Sequence, residues 1–281
     1  MKLLIRSIFS VFLFKNCQGQ IIISSIDKKN SLKLRQDSIV NKYLKNGAWK
    51  HIVFSKEWQQ SIDSGLKIDN TIAYLWQQKA MPYFKCGKYE YGMVFLDSAV
   101  FYDFKEYINY RAFIKCIFQK NYKSSLEDFT MSISKKCEDN IMDHTRHFYM
   151  GLCYLQLNDF SNSEKCFHIS IDEQIKKYSS KWVSYLDKFY LAITLYELGK
   201  YTEAIELLDG ILKNYEHFSD AKYYKALSLT YLGDKISAKK LLNEAYLDLK
   251  TGYTISEGNT KYEKYPYQID LELLEYQLKL Y

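Results

Sequence analysis

The chain has 281 residues, 47% of them hydrophobic, 26% charged and 17% aromatic, with 27 Tyr but only 2 Pro and 11 Gly. That apolar content sustains a sizeable core and excludes a disordered chain, and the scarcity of Pro lets helices run long. The net charge of +6 is interleaved with acids along the whole length, which excludes a nucleic-acid-binding stripe and leaves only a weak preference for anionic partners.

Residues 1–19 read as a signal peptide. Lys2 and Arg6 form a positive end, Ser7 to Phe14 a short apolar stretch, and Cys17-Gln18-Gly19 offers small residues to a signal peptidase. Export to the periplasm or beyond the inner membrane is expected, with the mature chain starting between Gln18 and Ile21. A cytosolic N-terminal helix is the alternative reading. Lipidation of Cys17 is disfavoured, because Lys15-Asn16 stand where small residues are needed. Residues 20–38 read as a linker. No later segment approaches the ~20 apolar residues of a membrane span, so the mature chain is not expected to cross one.

A degenerate helical unit over residues 39–72 comes next, with Ser55-x-x-Trp58-x-x-x-Ile62-x-x-Gly65 as its clearest part and a first helix near Asp37 to Lys50. From there one pattern returns five times: a turn residue, an aromatic, then small and large residues at fixed offsets. Its clearest copy is Gly199-x-Tyr201-x-x-Ala204-x-x-x-Leu208-x-x-Ile211. The aromatic position falls at Tyr89, Tyr122, Phe160 and Tyr201, with Lys235 in the last copy, in steps of 33, 38, 41 and 34 residues. These copies predict helix pairs over 73–105, 106–139, 144–177, 185–218 and 219–252. Small residues (Ala80, Gly151, Ala192, Ala226 on the first helix; Ala99, Ala204, Ala238 on the second) let the two helices approach. Phe129, Phe167 and Leu208 fill the space between. Extra residues fall at Lys136 to Asp143 and Tyr178 to Ser184. Residues 253–281 read as a polar loop and then a capping helix that begins at Pro266.

A base period of 34 with these offsets resembles the tetratricopeptide (TPR) repeat over roughly residues 39 to 252. The resemblance implies an all-α fold, a right-handed α-solenoid of helix-turn-helix repeats with a C-terminal capping helix. Two departures stand out: Pro is missing at every repeat end, and the first helix of 106–139 is one residue out of register with Tyr122. By the resemblance, an inward-facing groove is lined by Tyr74, Phe84, Tyr110, Phe148, Phe189, Tyr196, Tyr223 and Tyr231. Such a groove would hold a partner polypeptide by aromatic contact. Gln77 and Met81, or Phe148 and Leu152, stand where a carboxylate clamp would need Lys, Asn and Arg, so binding of a peptide's C-terminal carboxylate is disfavoured.

Chemistry is sparse. His144-x-x-His147 has the spacing of two metal ligands on one helix face, but no further ligand is identifiable near it, and packing is the preferred reading. Of the 6 Cys, Cys86, Cys116, Cys137, Cys153 and Cys166 lie beyond the signal segment without a C-x-x-C, and read as small buried hydrophobes rather than disulfides or zinc ligands. No nucleophile, metalloprotease or phosphate-loop motif is present. The sequence therefore reads as a non-enzymatic interaction module with a protein or peptide partner and no nucleic acid, metal or cofactor. An exported accessory protein that captures oligosaccharide or peptide is the alternative.

Overall fold

A computed structural model describes residues 29–138 and 141–281. The signal-peptide reading of residues 1–19 lies outside them. The described chain is all-α, without a β-strand, and its helices pack in consecutive pairs. It divides into two compact units, one comprising residues up to 83 with 91–102, the other 84–90 with 103–281.

In the first unit, residues 29–40 form helix α1, followed by a π turn at Asn41–Lys45 and a 3-10 turn at Ala48–Lys50. The linker reading therefore fails for residues 29–38, which are helical. Ile39 and Leu44 explain why: they reach a core with Ala48, Trp58, Ile62, Leu66 and Leu75. Helix α2, Lys56–Ile68, is capped by the Ser55 side chain, which accepts from Trp58 N. Helices α3 (Ala73–Lys85) and α4 (Tyr89–Tyr102) follow. Pro82 lies inside α3 and has no N–H for the Gln78 carbonyl one turn back. The Trp58 indole donates to that carbonyl instead, at 3.4 Å, so a helix-breaking residue is accommodated by a neighbouring helix.

The second unit carries the pairs α5 (Phe104–Ile117) with α6 (Tyr122–Ser134), α7 (Arg146–Gln156) with α8 (Phe160–Lys177), α9 (Tyr185–Glu197) with α10 (Tyr201–Leu212), and α11 (Ser219–Tyr231) with α12 (Lys235–Lys250). Each helix packs on its partner and on the next pair. Asn121, Asp159 and Asp234 cap the second helix of three pairs. The turn inside every pair needs one left-handed residue to end the first helix. Gly87, Gly199 and Gly233 supply it freely, while Lys120 (φ 55) and Asn158 (φ 58) adopt it as non-glycine residues.

Close approach works as the sequence suggests. A Cβ on Gly151 would meet the Phe167 ring at 2.7 Å, so only glycine fits. The Ser163 hydroxyl donates to the Gly151 carbonyl at 3.0 Å, and Ser125 donates to Ala112 at 2.8 Å. Serine thus replaces alanine at the contact without leaving a buried hydroxyl unpaired. The Ser125–Ala112 bond also fixes the register of α5: Ala112 is the equivalent of Gly151, and the extra residue sits in the turn before Lys120. Tyr110 consequently matches Tyr149 rather than Phe148.

Two further expectations change. Cys86 is exposed in the turn after α3, whereas Cys116, Cys137, Cys153 and Cys166 are buried free thiols. Pro266 does not open the last helix. That helix, α13 (Leu271–Leu278), starts five residues later, where Asp270 caps it by accepting from Leu273 N. It packs on α12 and buries Leu274, but Leu273 and Leu280 stay exposed.

Ala204 is fully buried where α10 meets its neighbours. Replacing it with Glu should destabilise the chain by several (~3–5) kcal/mol, because a charge enters a close helix contact. Gly151→Leu should do the same by steric overlap with Phe167. Unchanged thermal melts for both variants would refute the packing register.

Candidate functional site

The aromatic residues that the sequence assigns to a groove do not share one surface. Phe84, Phe148, Phe189 and Tyr223 are buried, Tyr110 and Tyr196 half-buried, and Tyr231 exposed. Tyr74, half-buried, packs on the core of the first unit. In the second unit the buried rings form a continuous spine. Phe113 meets Tyr149 at 5.2 Å, Phe148 meets Tyr190 at 5.7 Å, and Phe189 meets Tyr224 at 5.9 Å. The Phe residues read as partner contacts are thus largely inter-repeat core.

A further part of the chain lies beside this spine. Residues 253–270 form a loop whose two ends meet at Asp220 and whose middle reaches Lys85 and Lys120. The tyrosines one place beyond the expected groove positions hold this segment by its main chain. Tyr190 Oη donates to the Pro266 carbonyl at 2.9 Å, and Tyr224 Oη donates to the Tyr267 carbonyl at 2.9 Å. The Tyr149 phenol lies buried against the Tyr265 phenol. Asp220, fully buried at the start of α11, gathers the two ends of the segment. Its carboxylate accepts from Ile255 N at 3.2 Å, Ile269 N at 3.0 Å and the Thr254 hydroxyl at 2.7 Å. Burial pushes the Asp220 carboxyl upward in pKa, and the hydrogen bonds from Ile269, Thr254 and Ile255 work against that shift.

Charged contacts continue along the same line. Lys120 Nζ donates to the Lys264 carbonyl at 2.6 Å, and Lys85 Nζ lies over the Tyr262 ring at 5.2 Å. His144 stands between two carboxylates, with Asp187 at 3.8 Å from Nδ1 and Glu257 of the segment at 3.5 Å from Nε2, while its ring stacks on Phe148 at 4.0 Å. Burial opposes charge on His144, but Asp187 and Glu257 outweigh it and lift the pKa to about 9. His147 turns instead to Glu173 at 3.2 Å. The two histidines thus face different carboxylates, and no metal-ligating cluster occurs among the described residues.

Where the segment ends its path, Tyr196, Tyr201 and Tyr231 still present ring surface. Tyr201 and Tyr231 are stacked at 4.7 Å, and Tyr231 is 64% exposed. Sequence reasoning placed Asp220 on the inward face but passed over Tyr149, Tyr190 and Tyr224. A signal existed: Tyr110, Tyr149, Tyr190 and Tyr224 recur in steps of 39, 41 and 34 residues, the cadence of the repeat itself.

A tetratricopeptide-repeat family profile matches residues 188–217, which cover most of α9 and all of α10. No curated protein matches the chain in sequence. Solved structures do match in fold. The type IV pilus biogenesis factor PilW is 16% identical, with a TM-score of 0.57 over 70% of this chain and 89% of that one. Pseudomonas aeruginosa PilF is 13% identical, with a TM-score of 0.61 over 87% and 99%. YrrB, described as a TPR protein with an unusual peptide-binding site, is 13% identical, with a TM-score of 0.51 over 69% and 95%. The helix pairs, their period and these likenesses agree: the fold is that of a tetratricopeptide-repeat solenoid, and residues 188–217 match that repeat in sequence.

Proposed function

We propose that this chain is a polypeptide-binding module whose first-helix face holds an irregular segment by its main chain, and that residues 253–270 are a cis occupant of that face. The observation that carries this reading is the pair of bonds from Tyr190 and Tyr224 to the carbonyls of Pro266 and Tyr267. Side chains that read carbonyls and N–H groups tolerate many sequences, as an interaction scaffold requires. A partner gains the face by exchanging with the segment, and Tyr196 and Tyr231 are the rings it meets first. No nucleophile or metal enters this reading.

Gly258 has open space around it, so a protease site inserted there is tolerated and frees residues 259–281 from their tether. After cleavage, a fluorescent peptide of residues 259–281 should exchange onto the protein, while the uncut chain should refuse it because the tethered copy has a high local concentration. Tyr190→Phe with Tyr224→Phe should weaken peptide binding roughly 5- to 30-fold, at about 1 kcal/mol per lost hydrogen bond. A cut segment that leaves only when the whole protein unfolds would make it core and remove the binding face.

The ion cluster gives an independent check on how the segment is held. The folded pKa of His144, about 9, stands above its ordinary 6.5, so the stabilisation is complete below about pH 6.5 and is lost as pH rises through about 9. Urea unfolding between pH 6 and 10 should show an alkaline loss on the order of 2–3 kcal/mol that is absent from His144→Asn. Parallel pH profiles for the two chains would refute the role of the cluster.

Export belongs to the same reading and rests on Lys2, Arg6 and the apolar stretch Ser7 to Phe14. Chain isolated from its host should begin between Gln18 and Ile21. N-terminal sequencing that recovers Met1 would move the protein to the cytosol.

A further inference from the structure

A second cavity lies beside the tethered segment, and the binding face does not use it. It has a volume of about 440 Å³ and sits between the N-terminal end of α9, the turn from α10 to α11, and residues 253–256. Its walls are two groups of rings. On one side Tyr185 packs on Tyr215 at 4.5 Å and on Phe218 at 5.4 Å. On the other, His217 stacks on Tyr253 at 4.9 Å. Among the described residues no ring of one group touches a ring of the other, and the cavity is the gap between them.

The walls are held in place without a ligand. Gly252, in a left-handed turn (φ 94), lets the chain double back after α12. The Tyr253 amide then donates to the Asp248 carbonyl at 3.0 Å, and its carbonyl accepts from Ser219 N at 3.1 Å. His217 is fixed by Asp248 at 2.8 Å. About half of the Tyr215 and Tyr253 ring surface is nevertheless open. That is a poor use of large apolar area unless something covers it.

Charge identifies what fits. Glu216 lines the cavity and has no ion-pair partner among the described residues. The carboxylates of Glu257 and Asp220 also act on Tyr185, whose hydroxyl is pushed up to about 12 by burial first and by Glu257 next. Lys222 is already engaged by Asp248 at 2.6 Å and Glu244 at 3.5 Å, and Lys181 and Lys188 line a separate cavity that shares Tyr185 and Tyr215. Electron-rich ring faces beside the unmatched Glu216 carboxylate attract a cation with an apolar shell, and repel an anion. A neutral apolar ligand would leave Glu216 unused.

We propose that this cleft binds an organic cation, an alkylated ammonium or guanidinium group, between the Tyr185–Tyr215–Phe218 and His217–Tyr253 walls with Glu216 as counter-ion. The group is supplied either by a small free molecule or by a modified or basic side chain of a polypeptide. The site stands on the cavity and its walls, and does not depend on exchange of the C-terminal segment.

Tetramethylammonium chloride, titrated into the full chain and followed by intrinsic tyrosine fluorescence and the ring-current shift of its methyl protons, tests the site. Saturable binding in the millimolar range is expected, with no response to neopentyl alcohol, its neutral isostere. Tyr253→Ala and Glu216→Gln, both at exposed positions, should each weaken binding at least 5-fold with unchanged circular dichroism. A capped trimethyllysine residue that binds more tightly than tetramethylammonium marks a polypeptide source, and equal affinity marks a small cation. Non-saturable shifts, equal binding of the neutral isostere, or indifference to both variants would overturn the proposal.

Discussion

The second unit depends on how the main chain of residues 253–270 is satisfied where it is buried, around Ile255, Tyr265, Pro266 and Ile269. An irregular segment laid on an apolar face brings N–H and C=O groups that no helix or sheet can pair. Here the partners come from the repeats. Tyr190 and Tyr224 give hydroxyls to the Pro266 and Tyr267 carbonyls, and Asp220 takes the Ile255 and Ile269 amides. Without those groups the buried parts of the segment would carry unpaired main-chain groups. A carboxylate as deeply buried as Asp220 is costly by itself, and its three donors offset that cost. The same donors bring Thr254–Ile255 and Ile269 to one point, so the segment is pinned at both ends.

The repeat geometry makes this possible. Gly151, Ala112, Ala192 and Ala226 stand where first and second helices touch, and Ser163 and Ser125 hydrogen-bond across two of those contacts. Close contact on that side leaves the first helices to carry the large rings on the other. Because the pairs repeat, a tyrosine at one repeat position becomes a row of hydroxyls along the face. Lys120 adds to this. It occupies a left-handed turn position that glycine fills elsewhere, and its ammonium reaches the Lys264 carbonyl.

Much of the fold was legible in the residues. The period, the small residues at helix contacts and the turns at Gly87, Gly199 and Gly233 all locate helix pairs, because helix periodicity and left-handed turn chemistry are local properties. Local signals also misled. Pro266 looked like a first helical residue, yet Asp270 caps the helix, since an N-cap carboxylate is as strong a start signal as proline. Residues 29–38 looked like a linker because their apolar positions are sparse, and only Ile39 and Leu44 tie that stretch to a core. The one-residue offset at Tyr110 could not be resolved from the turn alone, and the bond between Ser125 and Ala112 resolved it.

The sequence by itself determined the helix pairs, their spacing and the aromatic richness of the first-helix face, because each follows from residues close together in the chain. It could not tell an exposed ring from a core ring, since Phe148 and Tyr231 were both read onto one face, yet the first is buried and the second 64% exposed. Tertiary structure alone decided that. Tyr190 meets Pro266 across 76 residues and Asp220 meets Ile269 across 49, and contacts at such separations leave no periodic trace. The cover over the aromatic face, and the cleft between Tyr215 and Tyr253, exist only because the chain after Gly252 turns back along the helices that precede it.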